Sequence, residues 1–200
     1  MASIWFASDH HFGHANLLKF TSDDGAYVRP GFRDVDHMNE TMIANHNRVV
    51  GVADHAYFLG DVGFSRATLA AVLPRLNGKK RLILGNHDYS DRQMMRFYLE
   101  HFQKVMSWRY FTEPDCALIC THCPLHESSF LGRYKGSCNV HGPIHARRID
   151  DPRYVNICVE QIDYTPVSYD WLLAKARRAP QAAASANSAR SPQQGRRRWQ

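Results

Sequence analysis

The chain has 200 residues, 44% of them hydrophobic, which is enough for one domain with a substantial core and excludes a disordered class. No run approaches the ~20 apolar residues of a membrane span, and the N-terminus lacks the layout of a secretory signal, so a cytoplasmic protein without membrane partners is expected. The net charge of +6 is local: residues 174 to 200 carry seven basic residues and no acidic one, leaving 18 basic against 19 acidic in the rest.

These figures predict a single domain over 1–176 and a basic, disordered tail over 177–200, rich in Ala, Ser, Gln and Arg. The tail offers a non-specific hold on nucleic acid, although a solvated extension is the simpler reading. Five cysteines without a small-secreted-domain pattern are expected to be reduced thiols. Cys120-Thr121-His122-Cys123 contains a C-x-x-C, but no second such pair exists, which argues against a four-thiolate zinc site.

In chain order, Ile4-Trp5-Phe6-Ala7 reads as a buried strand that runs out into Ser8-Asp9-His10-His11-Phe12-Gly13-His14. A polar, Gly- and Pro-containing loop follows from Thr21 to Arg33, and its Arg29-Pro30-Gly31-Phe32 segment is a candidate to reach over a pocket. Val35, Met38, Met42, His46 and Val49 recur at helical spacing, predicting an amphipathic helix over 35–48. Ala56 to Leu59 is a second apolar run, ending in Gly60-Asp61.

Ser65 is placed to cap a helix whose face is Leu69, Val72, Leu73 and Leu76, closed by Asn77-Gly78. A third strand, 81–84, empties into Gly85-Asn86-His87-Asp88, and Ser90 with Gln93 forms a capping box for a helix with Met94, Phe97 and Tyr98 inward. Strand and helix alternate, the α/β pattern in which ligand-bearing loops gather at the strands' C-terminal ends.

The second half is expected to lean towards hairpins. Residues 104 to 111 and Cys116 to Cys120 read as strands joined by a turn at Glu113-Pro114-Asp115. The latter strand ends at Thr121-His122, and Asn139-Val140-His141 ends at Gly142-Pro143-Ile144-His145. One more strand is expected over Val155 to Val159, then a helix capped by Ser168 and reaching about Ala176.

The strand-end groups are therefore Asp9 and His11, Asp61, Asn86 with His87 and Asp88, His122, and His145. Carboxylate, amide and imidazole mixed in this way suit borderline divalent ions better than a calcium cage or a thiolate site. Two such ions about 3.5–4 Å apart polarise a phosphoryl group and hold a hydroxide for in-line attack. His10, between Asp9 and His11, should face the other way along an extended chain. For His37, His46, His55, His101 and His126 a structural role is the simpler reading, while His14 stands beside the proposed site.

The order D-x-H, G-D, G-N-H-D, H and a G-H-x-H-like segment closely resembles the calcineurin-like metallophosphoesterases, from Ile4 to about Val167, and the opening resembles the small bacterial and phage-type members. The resemblance implies an α/β fold of two mixed β-sheets packed as a sandwich flanked by helices. It implies two divalent ions, such as manganese, iron, zinc or nickel. Asp9, His11 and His145 would hold the first, Asp61 would bridge, and Asn86 and His122 would hold the second. His87 would face the leaving group, with Asp88 orienting its imidazole.

One position departs: Pro143 stands where the family carries a histidine, which predicts a weakened second site, and His141 is a further candidate ligand two residues away. The implied activity is metal-dependent hydrolysis of a small phosphoric ester. A phosphodiesterase or nuclease acting on nucleic acid or cyclic nucleotides is one alternative, and a scaffold impaired by Pro143 is another. Arg133, Lys135, Arg147 and Arg148 near the last loops are either phosphate contacts or surface charges, the latter slightly favoured.

Overall fold

The first strand, β1 (Ile4–Ala7), is apolar on both faces because it ends up covered on both. Phe6 points into one buried cluster and Ala7 into another. The same alternation continues in β2 (His55–Phe58) and β3 (Lys79–Ile83), with Ala56, Phe58 and Leu82 on one side and Tyr57 and Ile83 on the other. The computed structural model describes residues 2–22, 24–88, 92–130 and 137–179. The proposed capping Ser90, the cations Arg133 and Lys135, and nearly all of the expected tail lie outside the described residues.

The first sheet has the order β4-β3-β2-β1-β9, where β4 is Lys104–Met106 and β9 is Val167–Ser168. Its first four strands are parallel, and β9 pairs antiparallel with β1. The second sheet has the order β5-β6-β7-β8, built from Trp108–Thr112, Ala117–Thr121, Ser137–His141 and Tyr154–Asn156. Strands β5 and β6 form an antiparallel hairpin, and β6-β7-β8 are parallel.

Helices α1 (Val35–Val49), α2 (Arg66–Val72) and α3 (Arg92–His101) bury Met38, Met42, Ile43, Leu69, Met94 and Phe97 against the outer face of the first sheet. The two sheets close on each other through Phe6, Tyr57, Ile83, Leu118, Cys120 and Val140. Helix α4 (Tyr169–Arg178) adds Leu172, Leu173 and Ala176 to that layer. The expected caps form: the Ser65 hydroxyl accepts from Thr68 N and that of Ser168 from Trp171 N. All five cysteines are free, and no described helix is long and apolar enough to cross a membrane.

Three expectations for the second half need correction. Residues 104–111 are not one strand: the run breaks at Ser107, Met106 pairs with Ile83 in the first sheet, and Trp108 pairs with Thr121 in the second. The hairpin tendency holds for one pair only, because the long connections after β6 and β7 carry the chain back to start parallel strands. The strand expected over 155–159 also stops earlier, at Asn156, and Cys158 then bridges to Ser8 beside β1.

His46 shows what buried imidazoles do to this fold. Its Nε2 lies 2.9 Å from the Asn77 carbonyl, and burial holds its pKa at about 4, against the raising effect of that bond. The unfolded chain therefore takes up this proton first, and stability falls as pH drops from about 6.5 to about 4. His46→Gln, which keeps an N–H donor, is expected to remove up to about 3 kcal/mol of that loss, read from urea midpoints at pH 7 and pH 4.5. An unchanged pH slope would acquit His46.

Candidate metal centre

The loops that follow β1, β2, β3, β6 and β7 meet at one end of the sandwich, the C-terminal ends of those parallel strands. They bring all six expected ligand residues together. His11 Nε2 lies 3.7 Å from Asp9 Oδ1 and 3.8 Å from Asp61 Oδ2, and His122 Nε2 lies 3.6 Å from the same Asp61 oxygen. Asn86 Oδ1 is 2.8 Å from His122 Nε2, so the amide and the imidazole point at one spot. One donor atom each from Asp9, His11 and His145 lies within 4.8 Å of the others, as do those from Asp9, Asp61 and His122. Asp9 thus enters both groups, alongside the central Asp61.

The backbone is strained at these residues. Asp9, His11, Asp61 and His145 have φ of 60°, 51°, 52° and 47°, four of six non-glycine residues in the left-handed region among those described. Each such residue costs on the order of 1 kcal/mol, a cost that clusters where function requires it. The approach is also close. A Cβ on Gly85 would collide with Asp61 Oδ1, and one on Gly142 with Asp9 Oδ2, so both positions exclude side chains.

The electrostatics fit a cation. Asp9 Oδ1 is buried without a hydrogen-bond partner, while Oδ2 accepts from Ser8 Oγ at 2.5 Å and from Cys158 Sγ at 3.3 Å. Burial pushes the Asp9 carboxyl up to about 6, against the opposing pull of His122, and burial likewise raises Asp61. Burial holds His11 at about 2, a neutral imidazole with a lone pair to give. Two buried carboxylates, one with an orphaned oxygen, beside the neutral His11 imidazole are groups that a divalent ion would satisfy.

Residues 2–185 match the family model described as Calcineurin-like phosphoesterase. The chain belongs to that family. Across 183 residues it is 33% identical to the uncharacterized protein MJ1445 of Methanocaldococcus jannaschii, covering 86% of this chain and 90% of that one. A solved protein of unknown function from Aquifex aeolicus aligns with a TM-score of 0.66 at 21% identity, covering 87% of this chain and 99% of the other, which shows the shared fold. Membership supports metal-dependent phosphoester hydrolysis in general, and the donor set matches that requirement.

Within this calcineurin-like site, the His87 side chain is 46% exposed, with Nε2 3.9 Å from Asp61 Oδ2. Asp88 does not orient it, contrary to expectation. The Asp88 carboxylate accepts from the backbone N–H groups of Asp61, Val62 and Gly85 and from Tyr98 Oη, which occupies both oxygens and ties the β2 and β3 loops together. His141 enters none of the convergent donor groups: it is buried, its Nδ1 meets the Gly142 carbonyl, its ring packs on Tyr154, and its Nε2 has no partner among the described residues. His10 packs on Phe12 and Phe58 in the core, away from the cluster as expected, although its neighbours Asp9 and His11 are left-handed and not extended. His14 borders the cluster, 5.9 Å from the His11 ring centroid. Pro143 lines the cleft beside His11 and His87 and offers no side-chain donor.

The sequence reading missed Arg29. Thr21, Ser22 and Val28 of its loop line the cleft but Arg29 does not: its guanidinium is fully buried, with Nε 2.7 Å from Glu160 Oε1 and with Nη1 and Nη2 donating to the carbonyls of His10 and Asp9. Glu160 also meets His145 Nδ1 at 3.0 Å. Although burial opposes protonation of His145, the Glu160 hydrogen bond and charge prevail and raise its pKa. A carboxylate on the far nitrogen fixes the ring with Nε2 towards the cluster. No local pattern announces this, since Arg29 and Glu160 stand 131 residues apart.

Arg148 donates to Gln161 Oε1, outside the cluster, and Arg147 lines the cleft. His145, Cys158 and Glu160 form a third convergent group, but burial drives the Cys158 thiol far up, which keeps the sulfur protonated.

Proposed function

We propose that this chain hydrolyses phosphoric esters with two divalent ions, one held by Asp9, His11 and His145 and the other by Asp61, Asn86 and His122. The observation that carries the reading is the convergence of these six residues while four of them hold left-handed backbone conformations. Ions bound there supply Lewis-acid polarisation of the phosphoryl group and activation of water. His87, exposed at the mouth of the cluster, donates a proton to the departing oxygen. Asp61, beneath it, keeps negative charge within reach of three imidazoles. Glu160 and Arg29 hold the His145 ring and the Asp9 turn in register, and Asp88 does the same for the Asp61 and Gly85 turns.

The test is elemental analysis combined with turnover of p-nitrophenyl phosphate and bis(p-nitrophenyl) phosphate in the presence of Mn²⁺. Bound metal with turnover of either ester is expected, and no metal with no turnover overturns the reading. His87→Gln is expected to lower kcat by about 10²–10⁴ while metal content stays unchanged. Pro143 leaves the second ion one protein ligand fewer, so Pro143→His is expected to raise both metal occupancy and rate; unchanged values would make the substitution neutral.

A further inference from the structure

A cavity of about 400 Å³, the size of a small-molecule site, runs along β8, the edge strand of the second sheet. None of the six candidate metal ligands lines it. Helix α4 supplies one wall through Trp171, Lys175 and Arg178, which recur at i, i+4 and i+7 and so share a face turned away from the buried Leu172, Leu173 and Ala176. The opposite wall is fixed. Asn156 Nδ2 and Gln161 Nε2, both lining residues, donate to the His145 carbonyl at 3.0 Å and 2.9 Å, and Arg148 Nε donates to Gln161 Oε1 at 2.8 Å.

Arg148, Lys175 and Arg178 give this cavity three cations, and among the described residues no Asp or Glu lines it. None of the three has a carboxylate partner there: Asp151 of the neighbouring loop is taken up by Arg153, and Lys175 Nζ stands instead 5.0 Å over the Trp171 ring. The sequence beyond Ala179, at the cavity's rim, contains four arginines and no acid, so it brings no counter-charge either. Trp171 itself is 39% exposed, which leaves an aromatic surface beside the charges. His141 completes the wall. Its Nδ1 meets the Gly142 carbonyl, which only accepts, and burial lowers its pKa, so the neutral ring carries its proton on Nδ1 and a bare lone pair on Nε2. That nitrogen is buried without a partner, an acceptor that calls for a donor.

We propose that this cavity is a second ligand site, separate from the metal centre, for a small organic anion with a planar body and a hydroxyl or amino group. The cations of α4 and Arg148 hold the anionic head, and Trp171 takes the planar body. The hydroxyl or N–H group donates to His141 Nε2. An inorganic anion would use the cations alone, and an uncharged aromatic would leave them unpaired, so each part of the occupant answers one part of the wall. The proposal does not depend on ester hydrolysis at the metal centre.

The test is calorimetric titration of the full chain with 6-hydroxynaphthalene-2-sulfonate, which has a charge, a planar body and a hydroxyl but no phosphoester to be cleaved. Saturable binding is expected, with inorganic sulfate and 2-naphthol each at least about tenfold weaker and naphthalene-2-sulfonate, lacking only the hydroxyl, about fivefold weaker. Lys175→Gln and Arg178→Gln are each expected to raise Kd by about tenfold, and Trp171→Ala by about fivefold. His141→Phe should erase the advantage of the hydroxylated sulfonate over the plain one. The three substitutions on α4 alter side chains outside the core, so they keep the test intact even if the buried His141→Phe variant does not fold. No binding at millimolar probe, a Kd that ignores all three α4 substitutions, or sulfate bound as tightly as the aromatic sulfonate overturns the proposal. Equal binding of the two sulfonates by the unmodified protein overturns the part given to His141.

Discussion

Replacing Asp9 with asparagine is expected to make the metal-free protein more stable and to abolish high-affinity metal uptake. Burial lifts the Asp9 carboxyl from 3.8 to about 6, so at neutral pH the folded state holds a carboxylate that would be better solvated in the unfolded chain. The folded state takes up the proton first, so the penalty is full above about pH 6 and fades as pH falls towards 3.8. The substituted amide removes the charge, keeps an oxygen where Ser8 and Cys158 donate, and belongs to a residue type that tolerates the left-handed φ of 60°. The expected gain at pH 7.5 is about 2–3 kcal/mol, shrinking to nothing near pH 4, read from denaturant midpoints in the presence of a chelator. Calorimetric titration with Mn²⁺ should show the tight binding of the parent gone. A variant that is less stable at pH 7.5 would mean that the carboxylate is not a strained group, and would weaken the case that this cluster is shaped for a cation.

Arg29→Met is expected to have the opposite sign. The guanidinium is fully buried, and its removal leaves Glu160 without its cation and the Asp9 and His10 carbonyls without their donors. Breaking one side of such a pair costs about 3–5 kcal/mol. Glu160→Gln should cost the fold less but weaken metal affinity by about 10–100-fold, since His145 Nδ1 loses the carboxylate that orients it. The double variant should lose less stability than the two single effects added together, the coupling expected of groups in direct contact. If Arg29→Met costs below about 1 kcal/mol, the Arg29 loop is held by something else and the pair is incidental.

The candidate ligand residues are legible because of what precedes them. Apolar runs such as Ile4–Ala7 and Cys116 to Cys120 can only be strands covered on both faces, and such strands must release their polar residues at an end. Asp9, Asp61, Asn86, His122 and His145 are each the polar release of one run, so their convergence follows once the strands are parallel neighbours. The hairpin expectation failed for a related reason. Turn residues such as Glu113-Pro114-Asp115 mark a reversal, but nothing local distinguishes a return that pairs antiparallel from a longer connection that starts a parallel strand.

Long-range polar pairing was not legible. The Asp88 carboxylate is filled by donors from two other segments, and Arg29 meets a partner at Glu160, so their roles exist only in three dimensions. A sequence shows that a charge is present. It does not show that the charge will be buried.

The break at Ser107 gives the site its dimensions. Met106 is in register with Ile83 and Trp108 with Thr121, so a single residue joins the ladder that ends near Asn86 to the ladder that ends at His122. The two sheets are thereby locked in phase along their strands, with no slack to slide past one another. The 2.8 Å meeting of Asn86 and His122 is a direct reading of that phase. The connection therefore works as a fixed-length spacer between the two sheets. A single residue inserted there would turn Trp108 to the opposite face of its strand, or pull one ligand loop about 3.3 Å out of step with the other.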